Sequence, residues 1–92
     1  DLPENYQTVM ALLKQRGEEE TNKGAGLLAQ SVWAAYVNTL KGSYPDMEAN
    51  AMAQAVWALA LKRTDTLETE LSKRYYAEVL KALEEQNDEN RF

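Results

Sequence analysis

From residue 49 to residue 61 the chain reads ANAMAQAVWALAL, and only Asn50 and Gln54 break the run of apolar side chains. A run so rich in Ala is helical, because Ala has the strongest intrinsic helix propensity and no Gly or Pro intervenes. A surface helix carries one apolar stripe, whereas a helix apolar on most sides must be covered from several directions. The segment is therefore either central in a bundle or covered by another chain. Nothing else in the sequence limits the fold as tightly.

Inside this run, Ala53-Gln54-Ala55-Val56-Trp57-Ala58 nearly repeats the earlier Ala29-Gln30-Ser31-Val32-Trp33-Ala34. The only two tryptophans thus occupy matching positions 24 residues apart. One Trp buries on the order of 200 Å², so two of them organise much of a core this small. A ligand-stacking platform is the sharper alternative, but both rings lie among Val and Ala on the same helical faces, which is the pattern of packing. Trp33, Tyr36, Val56 and Trp57 are the expected structural core. Two copies are too few for a solenoid, so the repeat reads as a duplicated helix within one bundle.

Periodicity predicts an all-α, compact four-helix domain with helices near residues 3–16, 27–41, 46–63 and 66–85, the third of them central. Pro3 and Glu4 suit a helix start, and Tyr6, Val9, Met10 and Leu13 follow at the spacing of one buried stripe. Gly17 reads as a C-terminal stop, and the polar, glycine-spaced residues 18–26 read as a loop or weak lead-in. In the second helix Ala29, Val32, Trp33, Tyr36, Val37 and Leu40 share a face, and Gly42 ends it. Ser43-Tyr44-Pro45-Asp46 resembles a capping turn before the third helix. Thr64-Asp65-Thr66 offers caps for the fourth, whose stripe is Leu67, Leu71, Tyr75 and Ala82, widened by Tyr76, Val79, Leu80 and Leu83. One domain over residues 1–85 and a polar tail over 86–92 complete the reading. No alternating or β-branched run predicts a strand.

The 92 residues contain no Cys and no His. Disulfides, thiolate chemistry, zinc sites, His general bases and Glu-x-x-His di-metal sites are therefore unavailable. Ser31, Ser43 and Ser72 lack a His partner for nucleophilic catalysis, so no enzyme is expected and no catalytic residue is assigned. Gly24-Ala25-Gly26 before a helix falls short of a phosphate cradle, since a strand, a third Gly and a Gly-Lys-Ser/Thr ending are all missing. The acidic runs at 18–20 and 84–89 lack the alternating acids and Gly of a calcium loop. No metal and no cofactor are expected.

Net charge is −5, distributed as −3 over residues 1–20, +2 over 21–63 and −4 over 64–92. An acidic chain disfavours nonspecific contact with nucleic acid or anionic lipid. A helix-turn-helix pivoting on Gly42 would place Asp46, Met47 and Glu48 first in the major groove, where phosphate repels them. No direct nucleic-acid contact is expected. No stretch reaches the ~20 apolar residues of a membrane span, and the opening residues lack the basic and apolar regions of a signal peptide. A cytoplasmic location is the expectation.

The opening Asp1-Leu2-Pro3-Glu4, the Trp33-x-x-Tyr36 unit, and Trp57 followed by Ala58 and Lys62 resemble the ChaB family over roughly residues 1–62. These are small helical proteins of bacteria and viruses described as regulators of cation transport. The resemblance implies a helical regulatory protein of bacterial or viral origin, and it carries over no catalytic or ligand residue.

The function these residues predict is a non-catalytic protein-interaction or regulatory module acting through a helical, partly apolar surface. So small a bundle cannot easily enclose its third helix, so Met47, Met52, Leu59 and Leu61 are the candidate partner-binding residues; Met suits adaptable binding surfaces. The partner would be another protein, with self-association as one form. The alternative is an acidic decoy for a nucleic-acid-binding protein, carried by the carboxylates of residues 64–92. Glu68, Glu78, Glu85 and Asp88 do not form one stripe at helical period, which ranks it second.

Overall fold

The apolar run at residues 49–61 is a helix, and it lies within an all-α, four-helix domain. The computed structural model describes residues 2–89: α1 (Glu4–Glu19), α2 (Lys23–Leu40), α3 (Ala49–Leu61) and α4 (Glu70–Glu89), with a 3-10 turn, Thr64–Thr66, before the last. Among the described residues there is no strand. The radius of gyration, 12.6 Å, is close to the ~12 Å of a compact chain this long.

Contacts between named residues set the helix directions. Gly17 meets Gly26, and Tyr6 stacks on Trp33, so α1 and α2 are antiparallel. Asn5 reaches Met47 while Arg16 lies on Trp57, so α1 and α3 run the same way. Tyr75 pairs with Glu48, and Gln54 with Glu68, so α3 and α4 are antiparallel. α3 touches α1, α2, the 3-10 turn and α4, the central place expected of it. α2 shares that place, since it touches all three other helices, whereas α1 and α4 do not meet. The architecture is an inner pair, α2 and α3, flanked on either side by α1 and α4. Each inner helix keeps one open face.

Several expected boundaries move, four of them for a reason that packing and capping show. Gly17 does not stop α1. It sits inside the helix because a Cβ there would lie 2.8 Å from the Gly26 Cα, so the two glycines let the α1 and α2 backbones touch. Gly26, its partner in that contact, is likewise inside a helix, and α2 starts at Lys23, capped by the Asn22 side chain accepting from the Ala25 N–H at 3.1 Å. α1 ends at Glu19, and the chain turns out of it through Thr21 at φ 54°, with the Asn22 N–H bonded to Gly17 O at 2.7 Å and the Thr21 N–H to Glu18 O at 3.1 Å. This is the paired closure of a Schellman motif.

α3 begins at Ala49, not near 46, because residues 43–48 are non-helical and side chains from distant helices hold Pro45, Met47 and Glu48, the last with extended backbone. The Tyr6 hydroxyl donates to Pro45 O at 2.9 Å, the Asn5 amide to Met47 O at 3.3 Å, and the Glu48 N–H to the Tyr75 hydroxyl at 3.0 Å. Glu48 then caps α3 by accepting from the Asn50 N–H at 2.9 Å. α4 likewise begins at Glu70, because Thr69 and Ser72 cap it reciprocally. The Ser72 N–H donates to Thr69 Oγ1 at 3.0 Å and the Thr69 N–H to Ser72 Oγ at 3.2 Å, a capping box with Ser in the acidic position. Thr64-Asp65-Thr66, the expected cap, forms the 3-10 turn instead. At the other end α4 runs to Glu89, so the first part of the expected tail is helical; residues 90–92 lie outside the described residues.

A β-branched residue at positive φ is strained, and Thr21 is exposed. Thr21→Gly is expected to raise stability by about 1 kcal/mol, read as an increase in the urea midpoint.

Candidate interaction surfaces

Tyr6, Trp33 and Tyr36 build the interior, packing against Tyr44. Tyr6 and Trp33 stack with ring centroids 5.3 Å apart, Trp33 and Tyr36 lie at 5.8 Å, and Tyr6 and Tyr44 at 5.2 Å. The Trp33 indole N–H donates to Tyr6 O at 3.2 Å. Trp33, Tyr36, Val56 and Trp57 are all buried. Trp57 has a different neighbour, the Arg16 guanidinium 5.0 Å above its ring, which gives a buried indole a cation–π contact at the edge of the core. Neither ring lines an open cleft.

Burial, reinforced by negative charge arising at Tyr36, Tyr44, Asp46 and Tyr75, pushes the Tyr6 hydroxyl up to about 12 from its ordinary 10.0. The Tyr36 hydroxyl is raised too, by burial first and then by Glu78 and Tyr75. In the unfolded chain these groups ionise near 10, while the folded chain holds them neutral. Their contribution is therefore fully present below pH 10 and is lost as pH climbs from about 10 towards 12. The urea midpoint is expected to fall across that window, and Tyr6→Phe should flatten the fall.

The residues expected to meet a partner do not form one surface. Met52 is 2% exposed and packs in the core, so it is unavailable to another chain. Its position on α3 faces the inner pair, and a helix apolar on nearly every side gives no period to reveal that. Met47, Leu59 and Leu61 are half-buried against the same core. The open side of α3 is narrow: Asn50 is its one exposed residue, with Ala53 and Gln54 half-buried beside it. A groove of about 490 Å³ runs there between α1 and α3, with Leu12 and Ala53 in it and Glu19 and Glu20 at one end. Glu4 and Asp46 border a shallower hollow further along the same seam, and Glu48 borders another towards α4. The one base in the groove, Arg16, is committed to Glu20 at 3.5 Å and to Trp57. The seam is acidic at its Glu4 and Asp46 end, whereas at the other end Arg16 pairs with Glu20 and Arg63 faces the same carboxylate, leaving Glu19 as the surplus charge.

The exposed apolar surface lies on the other inner helix. Leu27 is 65% exposed and Leu28 49%, side by side near the start of α2. The exposed residues Ser31, Ala34 and Asn38 continue that face. α2 carries no acidic residue; its charges are Lys23 at the start and Lys41 just past the end. A hollow of about 240 Å³ beside Leu27 is bordered by Lys14, Lys23 and Glu18. Two open faces of opposite charge thus flank α1, one along α2 and one along α3. Leu27 and Leu28 were legible in one respect: both fall outside the stripe that runs from Ala29 to Leu40, and leucines left off a buried stripe must point outward.

What the fold and these surfaces define is an all-α four-helix domain with two open inner-helix faces. No family model, curated protein or solved structure matches the chain. Among the described residues, no helix is long and apolar enough to cross a membrane.

Proposed function

We propose that the chain is a cytoplasmic, non-catalytic protein-interaction module that docks a partner protein on the open face of α2. The observation that carries this reading is the adjacent exposure of Leu27 and Leu28 on a helix otherwise packed by its neighbours. Isolated exposed leucines are ordinary, but two successive ones, bordered by small side chains and a hollow, offer what an interface centre uses. The Ser72 hydroxyl, the one buried hydroxyl among the serines considered for chemistry, is engaged in capping α4 by donating to Thr69 O at 2.8 Å. The ChaB-like residues suggest the same kind of protein, a helical regulator, and with it a role in cation transport. Trp33, Tyr36 and Trp57 would then be shared as packing residues, leaving the open faces to choose partners.

The acidic decoy draws less support. Along α4 the exposed Glu70, Glu78, Glu84 and Glu85 are interspersed with exposed Lys73, Arg74 and Lys81, which interrupts any phosphate-like track. Binding through α2 should survive added salt, whereas decoy binding would weaken steeply. The test is a pull-down from native lysate with the intact chain and with a Leu27→Ser, Leu28→Ser chain. Species held by the first and lost by the second are expected. Equal recovery by both, with equal thermal midpoints, would remove the reading.

A further inference from the structure

We propose that the partner of the α2 face is a second copy of this chain, received in the acidic trough along α3. The inference rests on the reading of α2 as a docking face and supplies the identity of what docks there. Three observations carry it. First, the two faces differ in net charge even with Arg16 and Arg63 beside Glu20 at one end of the trough: Lys23 and Lys41 mark the ends of one face, Glu4, Glu19 and Asp46 the ends of the other. Among the described residues none of these five forms an ion pair within the chain. Second, their lengths match. At 1.5 Å per residue, Lys23 to Lys41 spans about 27 Å and Glu4 to Glu20 about 24 Å. Third, apolar groups sit between the charges on both sides, Leu27 and Leu28 on one, Leu12 and Ala53 on the other.

The two faces lie on different inner helices, so both can be used at once by one molecule. Pairing α2 with α2 of the second copy in antiparallel register would set Lys23 against Lys41, a repulsion that pairing α2 with the trough avoids. The contact is therefore heterologous, head to tail. Such contacts give rings if the rotation closes and open chains of subunits if it does not.

A heterologous contact has a signature that a symmetric one lacks. The first variant is Leu27→Ser with Leu28→Ser, which spoils the α2 face and leaves the trough intact. The second is Glu19→Lys with Glu20→Lys, which spoils the trough and leaves the α2 face intact. All four positions are exposed, and unchanged helicity and melting confirm that each variant folds. By light scattering in low salt, the wild-type chain is expected to rise in mass with concentration from one copy to two and beyond, and to fall back as salt is added. Each variant alone should remain a single copy at every concentration. Mixed in equal amounts, they should form a 1:1 pair that grows no further, since only one good contact can be made.

A wild-type chain that stays single up to millimolar concentration overturns the proposal. So does a trough variant that still associates, or a mixture that does not pair. Those failures are separable from failure of the docking reading. A single-copy wild type that still captures a partner through Leu27 and Leu28 keeps α2 as a docking face and removes only the second copy as its occupant.

Discussion

Trp33→Ala is expected to lower folding stability by about 3–5 kcal/mol. The side chain is completely buried, stacked on Tyr6 at 5.3 Å, and tied to Tyr6 O through its indole N–H at 3.2 Å. Its removal leaves a cavity between α1 and α2 and strips the face of Tyr6, whose hydroxyl pins the segment before α3 through Pro45 O. The damage thus travels from the α1–α2 contact to the link that positions α3. Native domains have only about 5–15 kcal/mol in hand, so a large part of the population should unfold in mild denaturant. Trp33→Phe separates the causes: it keeps most of the packing and removes the N–H donor, and about 1–2 kcal/mol is expected. Trp57→Ala should fall in the same range as Trp33→Ala, because it is equally buried and also leaves Arg16 without its ring. Equilibrium urea unfolding measures all three. A Trp33→Ala chain that melts with the wild type would show that this ring is not a packing element.

Gly17→Ala carries the second large effect, and its sign separates tertiary contact from helix propensity. In an exposed helix, Gly to Ala gains up to about 1 kcal/mol. At Gly17 the new methyl would lie 2.8 Å from the Gly26 Cα and 3.2 Å from Asn22 O, both backbone atoms that no side-chain rotation can clear. The α1 and α2 backbones would have to separate, and a net loss of about 1–3 kcal/mol is expected. Gly24→Ala is the matched control. Its methyl meets only Asn22 Oδ1 at 3.7 Å, ordinary contact, and a small gain is expected. Opposite shifts in the urea midpoints of these two chains would locate the helix contact at Gly17; a gain in both would mean that the backbones do not meet there.

Where burial follows a period the sequence was a sound guide. Tyr6, Val9 and Leu13 on α1, and Ala29, Trp33, Tyr36 and Val37 on α2, are buried as their spacing implied. The fourth helix was less legible, because Tyr75, Val79 and the cap residue Ser72 face the core while Leu80 is 37% exposed. Two kinds of feature escaped. Gly17 carries the local signal of a helix stop, and only the approach of a second helix converts it into a contact. Residues 45–48 carry a good helix start, yet Asn5, Tyr6 and Tyr75 hold that stretch out of the helix across separations of 42, 39 and 27 residues. No local pattern encodes those bonds. Met52 on α3 was misplaced for the reverse reason: the apolar residues of that helix have no period, so Met52 could not be told from Ala53. The acidic trough was invisible for another reason. Glu4, Glu20 and Asp46 are scattered through the sequence, and only the parallel run of α1 and α3 brings them to one seam.

Because α1 and α4 never meet, neither outer helix props up the other. Each is seated only on the inner pair, so thermal fluctuation can lift one while its counterpart stays docked. Deuterium uptake by the amides should reveal two uncoupled openings. Val79→Ala, which thins the seat of α4, should speed uptake along α4 and leave α1 at its former rate.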